Sequence, residues 1–258
     1  MGVALEAARQ IELSRFQHAF LQEAAKLRMI DLVGRAVLIA VFGGLATLKG
    51  LAVFTYVLSF HPADQIRFML GLATQFVGLA FMLFVISLTL VRLKPIDHAR
   101  GWEPRISAIA GSFLTLLVPL LQQAEMPRTL QIFSLIVVGC GFLSSTYVVY
   151  CLGRSLSVMP QARRLVTSGP YAIVRHPLYL TEEIAVIGIL VNYLSWEALV
   201  IGVVHWAFQL RRVHNEERIL HSTFPEYADY AAQTPPFIPC AIAGLLGKRS
   251  QAIQLPAA

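Results

Sequence analysis

The sequence predicts an all-α fold: a polytopic transmembrane helical bundle of about six spans, with an amphipathic N-terminal helix and a cytosolic C-terminal helical segment. Three observations predict it. Of 258 residues, 56% are apolar and 14% charged, and the mean hydropathy is +0.63; soluble domains carry about 25% charged residues. Apolar runs near the length that crosses a bilayer, about 20 residues, recur along the chain. Basic residues gather in alternate connections between those runs, as cytoplasmic loops do.

Residues 4–29 read as the amphipathic helix. Leu5, Ala8, Phe16, Phe20, Ala24 and Leu27 recur at roughly helical spacing among Glu6, Arg9, Arg15, Glu23, Lys26 and Arg28. That pattern is too polar to span and suits a helix lying on the membrane surface. These first 30 residues do not read as a signal peptide, having no apolar core before a cleavage site. The spans follow at 32–48 (extendable towards 60, with Lys49-Gly50 as an interruption), 66–91, 106–121, 130–152, 177–193 and 196–210. The chain thus divides into a surface helix (1–30), four spans (31–152), a site-bearing region with two spans (153–239) and a tail (240–258).

Charge orients the bundle. Arg9, Arg15, Lys26 and Arg28 precede the first span. Arg92, Lys94, Arg100 and Arg105 follow the second, and Arg154, Arg163, Arg164 and Arg175 follow the fourth. Arg211, Arg212, Arg218, Lys248 and Arg249 follow the sixth, against Lys49, Arg67 and Arg128 on the opposite side. An even number of spans with both termini cytoplasmic is expected. The net charge of +6 is accounted for by these loops; no basic stripe alternates with aromatics, so nucleic acid is not an expected partner. Cys140, Cys151 and Cys240 fit no zinc spacing, and no metal site is expected.

Candidate chemistry concentrates after residue 150. Gly169-Pro170-Tyr171 signals a turn. Pro177 suits the first position of a helix, where its missing N–H has no partner to lose, and places His176 at the cap. His176, Tyr179 and Glu183 then share one helical face. Glu182 and Glu183 lie within a span, where a carboxylate faces a bundle interior or wet cavity, or else sits at headgroup depth near Arg175. His205, Gln209, Arg212 and Glu216, spaced four, three and four, form a matching stripe on the last span. His214, Glu217, Arg218 and His221 continue the polar surface, and Phe224, Tyr227 and Tyr230 form an aromatic run that either packs the final helix or lines a pocket.

These motifs occur in an order that resembles the isoprenylcysteine carboxyl methyltransferase and phospholipid methyltransferase superfamily of integral membrane enzymes. The pattern is Gly169-Pro170-Tyr171, Arg175-His176-Pro177-Leu178-Tyr179, Glu216-Glu217-Arg218-Ile219-Leu220, Phe224, Tyr227, Tyr230 and Pro239, covering roughly 150–239. The resemblance implies S-adenosyl-L-methionine held between the last two helices and the C-terminal segment, and a lipophilic acceptor: a prenylcysteine carboxylate, a phospholipid amine or a small thiol. Carried over, it places Gly169, Tyr171, His176, Pro177, Tyr179, His214, Glu217 and Tyr227 at the cofactor and Arg175, Glu183, Arg212 and Glu216 at the chemistry, with Arg175 and Arg212 holding a carboxylate. Thr181 stands where many relatives have glycine, and Pro236 where many have arginine. An NADPH-dependent reductase of sterol-reductase type and a non-enzymatic membrane component are the alternatives.

Overall fold

The computed structural model describes residues 2–59 and 64–238. Seven helices form: α1 Gly2–Leu58, α2 Gln65–Val91, α3 Glu103–Phe113, α4 Arg128–Leu152, α5 Pro177–Asn192, α6 Trp196–Thr223 and α7 Tyr227–Gln233. A two-stranded antiparallel ribbon, β1 (Asp97–His98) with β2 (Gln161–Ala162), joins the connections after α2 and α4, pairing Asp97 with Ala162 and His98 with Gln161.

The expected boundary near residue 30 is absent, because α1 runs as one helix of 57 residues. Lys49-Gly50 does not end it either. A glycine costs a helix only about 1 kcal/mol, whereas an open backbone turn in lipid leaves polar groups unsatisfied at several kcal/mol each. Most of the apolar face expected for 4–29 lies on side chains outside the described ones; Phe16 is exposed. The tail beyond 238, with Pro239 and Cys240, is likewise outside the described residues.

Three stretches are long and apolar enough to cross a bilayer: Leu27–Leu58, Gln65–Val91 and Arg128–Ser155. Their exposed Leu, Val and Phe side chains fit lipid contact; Leu48, Leu51, Phe54, Phe76 and Leu83 are all half or more exposed. The third expected span does not form one α-helix. It bends at Phe113 into a 3-10 stretch, Leu114–Leu120, that contains Pro119, whose missing N–H cannot continue the α-helical ladder. The fifth has 16 residues, about 24 Å at 1.5 Å per residue, short of a ~30 Å hydrocarbon core. The sixth continues past residue 210 as one helix of 28 residues.

Packing is sequential at first: α1 lies on α2, α2 on α4 and α4 on α5. Small residues permit the last contact. A Cβ on Gly141 would come within 2.4 Å of the Ala185 backbone nitrogen, and one on Gly188 within 2.8 Å of that of Val138. Ser134 Oγ donates to the Gly188 carbonyl at 2.7 Å across the same contact. Helix α6 instead packs chiefly on α3. There the Asn215 amide donates to both Glu103 carboxylate oxygens at 3.1 Å and to Ser107 Oγ at 3.1 Å. Helices α5 and α6 therefore meet sparingly, and what fills the seam between them is polar.

Candidate active site

The site begins with the way α5 starts. Ser168 is extended and Gly169 adopts φ +63°, a left-handed conformation glycine reaches without penalty. The turn Gly169–Ala172 follows, and Pro177 opens α5 with His176 as its cap residue. His176 makes no side-chain cap bond, and the orphan N–H groups of this junction are answered from the C-terminal segment. Arg175 N–H donates to Pro235 O at 2.9 Å and His176 N–H to Pro236 O at 3.1 Å. Pro236, which departs from the family pattern, thus serves through its carbonyl.

Glu217 on α6 fixes the side chains of this junction. Its Oε1 lies 2.9 Å from Arg175 Nε and 3.0 Å from His176 Nε2. Burial works to raise this carboxyl, but the His176 hydrogen bond and the His176 and Arg175 charges outweigh it and hold it below its ordinary value. Arg175 also donates to the carbonyls of Ala231 and Thr234 at 2.7 and 3.1 Å. Its donors are spent on holding α7 against the bundle. Tyr230 OH donates to Tyr171 O at 2.7 Å, closing the same corner.

One turn into α5, Tyr179 OH donates to Glu216 Oε2. The Arg212 guanidinium lies 4.8 Å above the Tyr179 ring, a cation–π placement. Arg212 donates to Gln209 Oε1 at 3.4 Å, Gln209 Nε2 donates to Glu182 at 3.2 Å, and His205 Nε2 lies 3.0 Å from Glu183. The polar stripe of α6 thus continues along the α5 seam from the site to membrane depth, with three carboxylates, Glu182, Glu183 and Glu216, beside one arginine. Thr181 bonds Ser145 Oγ on α4 at 3.0 Å and the Leu178 carbonyl at 2.9 Å, which gives the residue at the glycine position a packing role.

These groups surround a partly open cavity. Of the expected residues, Tyr171, Arg175, His176, Tyr179, Arg212, Glu216 and Tyr227 line it. Glu217 stands behind Arg175 and His176, Pro177 and Gly169 shape the backbone, and Glu183 pairs with His205. His214 is exposed and bonds Arg218 at 3.1 Å, away from the cavity. Burial pushes up the phenols of Tyr171 and Tyr227, and that of Tyr230 to about 12, so all three remain neutral donors at pH 7.

A further part of the lining escaped the sequence. Ser155, Ser157, Gln161, Arg163 and Arg164, from the segment between α4 and α5, also line the cavity. The adjacent arginines were the available signal, but adjacent basic residues in a cytosolic loop look like topology charge. Three buried polar atoms around the cavity have no hydrogen-bond partner: Ser155 Oγ, Arg163 Nε and Tyr227 OH. Buried polar atoms are normally paired, so these three fit a polar ligand.

Residues 129–227 match the phospholipid methyltransferase family model, a stretch running from the start of α4 to the first residue of α7. Over 116 residues the chain is 33% identical to protein-S-isoprenylcysteine O-methyltransferase B of Arabidopsis thaliana, covering 42% of this chain and 58% of that one. These matches support a likeness of this stretch to the isoprenylcysteine carboxyl and phospholipid methyltransferase superfamily. Other similar proteins carry different names. The cobalt-zinc-cadmium resistance protein CzcN of Cupriavidus metallidurans is 41% identical over 78 residues, covering 29% of this chain and 35% of that one. The nickel-cobalt-cadmium resistance protein NccN of Alcaligenes xylosoxydans xylosoxydans is 33% identical over 82 residues, 31% of this chain and 38% of that one. The chain thus spans little more than a third of the length of these two relatives. Among the described residues, no three His, Cys, Asp or Glu side chains gather to hold a metal. The superfamily match begins at α4, so α1 to α3 lie outside the matched stretch.

Proposed function

We propose that the protein is an integral membrane methyltransferase that uses S-adenosyl-L-methionine and modifies a lipophilic acceptor. One observation carries this reading: the motif residues of the superfamily, His176, Tyr179, Glu216 and Tyr227, converge from three helices on one cavity that also holds unpartnered buried polar atoms. The cavity has the donors such a cofactor needs. Tyr227 OH is free for a polar atom of the nucleoside, and Glu216 keeps one carboxylate oxygen beyond its Tyr179 bond for a cationic centre.

When bound, the cofactor supplies a methyl group on a positively charged sulfur. The protein's own part is placement. Glu217 orients His176, and Tyr179 fixes Glu216, so that both face the cavity without free rotation. Holding acceptor and methyl in line provides most of the rate that such a transfer needs. The α5–α6 seam is the proposed route for the acceptor, because its polar residues continue from the cavity into the expected fifth and sixth spans. That arrangement supports the basic loops, the cavity and the termini lying on the cytosolic side, with about six helices in or across the bilayer. Among acceptors, the seam favours a basic group such as an amine. Its three carboxylates against one arginine attract a cation and repel a carboxylate, and Glu183, oriented by His205, is placed to take the proton an amine must lose.

Calorimetry on the detergent-purified protein tests this. Binding of S-adenosyl-L-methionine at micromolar to millimolar concentration is expected, weakened at least tenfold in His176→Ala. Binding of NADPH with no binding of S-adenosyl-L-methionine would overturn the proposal in favour of a reductase.

A further inference from the structure

Arg163 and Arg164 in the cavity lining have had no part in the site so far. Asp31 on α1 is buried and receives Arg35 Nε at 2.8 Å, Arg92 Nη2 at 2.8 Å and Arg163 Nη2 at 2.6 Å. Three guanidiniums around one carboxylate leave a formal excess of two positive charges. Burial, and then the neighbouring Arg163 charge, depress Arg92 to about 10. Arg164 follows directly, exposed and without an ion pair among the described residues. Arg163 and Arg164 line the cavity, beside Gln161 and Ser155.

The donors here are incompletely used. Arg163 donates to Asp31, to Gln161 Oε1 at 2.6 Å and to the Leu93 carbonyl, yet its Nε, in a side chain with no exposed surface, has no partner. Ser155 Oγ is buried and equally unpartnered. The arginines expected to hold a carboxylate are engaged elsewhere: Arg175 with Glu217 and the carbonyls of Ala231 and Thr234, Arg212 with Gln209 Oε1 and the Tyr179 ring. The spare positive charge of the site therefore lies on Arg163 and Arg164, just after β2.

We propose that the cavity lining just after β2 is an anion subsite, where Arg163, Arg164 and Ser155 hold a carboxylate or phosphate of the bound ligand. An anion there offsets the surplus of arginine charge and satisfies the unpaired donors; charge-assisted bonds of this kind are the strong ones. Two ligands carry such a group: the cofactor, through its amino-acid carboxylate, and an acceptor with a phosphate headgroup. The subsite rests on the cavity being the cofactor site only for the first of these. It also gives α1 a purpose, since Asp31 positions Arg163 from a helix that lies outside the stretch matched to the superfamily.

Calorimetry separates the two sources. S-adenosyl-L-methionine and its decarboxylated analogue are titrated into wild type, Arg164→Ala and Ser155→Ala, and dihexanoyl phosphatidic acid and dihexanoylglycerol are titrated in parallel. Arg164 is exposed, so its loss leaves the fold intact. If the cofactor carboxylate occupies the subsite, Arg164→Ala weakens S-adenosyl-L-methionine by about tenfold, the size of one charged hydrogen bond, and leaves the decarboxylated analogue unchanged. If a phosphate headgroup occupies it, the same loss falls on phosphatidic acid and not on dihexanoylglycerol. Losses in neither acid, or equal losses with and without the acidic group, overturn the subsite. Failure of wild type to bind S-adenosyl-L-methionine at all overturns the proposed function and the cofactor arm with it, and the phosphatidic acid arm still decides the subsite.

Discussion

Helices α2 and α6 have nearly the same length, 27 and 28 residues, and opposite interiors. Helix α2 buries Gly71, Gly78, Val85 and Thr89 and turns leucine, phenylalanine and methionine outward. Helix α6 buries His205, Gln209, Arg212 and Asn215. In lipid there is no hydrophobic gain from bringing two apolar helices together, so α2 associates through small residues and close approach. Helix α6 associates through hydrogen bonds, because a polar group there has little water to turn to. The first helix anchors; the second pays for a site.

Substitutions at matched depths sharpen this contrast. The largest effect is expected for Arg212→Ala, which removes the buried guanidinium whose charge offsets Glu182 and Glu216. Leaving a buried charge uncompensated costs about 3–5 kcal/mol, read as a lowered unfolding temperature in detergent. An equal response to Leu83→Ala on the outward face of α2 would erase the distinction. Next come the glycines. Gly141→Ala drives a methyl into the Ala185 backbone and should cost about 1–3 kcal/mol, as overpacking does. Gly44→Ala in α1 meets nothing within 4 Å and should be neutral or stabilise by up to about 1 kcal/mol. A destabilised Gly44→Ala would mean that α1 has a packing partner on that face.

A pH titration probes the corner that joins α5, α6 and α7. The Glu217 carboxyl is held below its unfolded value, about 4.3, so its contribution is complete above that pH and is lost as pH falls through the lower folded value. Unfolding followed from pH 7 to pH 3 should show a loss of stability that Glu217→Gln lacks. Identical profiles would remove Glu217 as the clamp. The smallest effect is expected for His214→Ala: the side chain is exposed and bonded only to Arg218, and cofactor affinity should change by less than about twofold, a surface-sized perturbation.

Helices α2 and α4 begin and end within two residues of where their apolar runs do, since membrane length leaves little choice of boundary. The stripe His205, Gln209, Arg212 and Glu216 was equally legible, because helical spacing alone aligns it. The continuity of α1 was not. Lys49-Gly50 resembles a stop in a chain solvated by water, but lipid penalises an open turn more than a glycine in a helix. Arg163 and Arg164 were visible only as loop charge, for a related reason. Their role depends on Asp31, 132 residues away, and on a two-residue ribbon too short to leave a pattern.

By itself the sequence determined the apolar character of this protein, the order of its helices and the half of the chain whose polar residues line the cavity, because periodicity and hydrophobic length are local properties. Only the tertiary structure decided how the charges pair: Glu217 with Arg175 and His176, Glu183 with His205, Asp31 with three arginines. Coulomb interactions act across space rather than along the chain, so which arginine is spent and which is spare can be read only when the helices stand side by side.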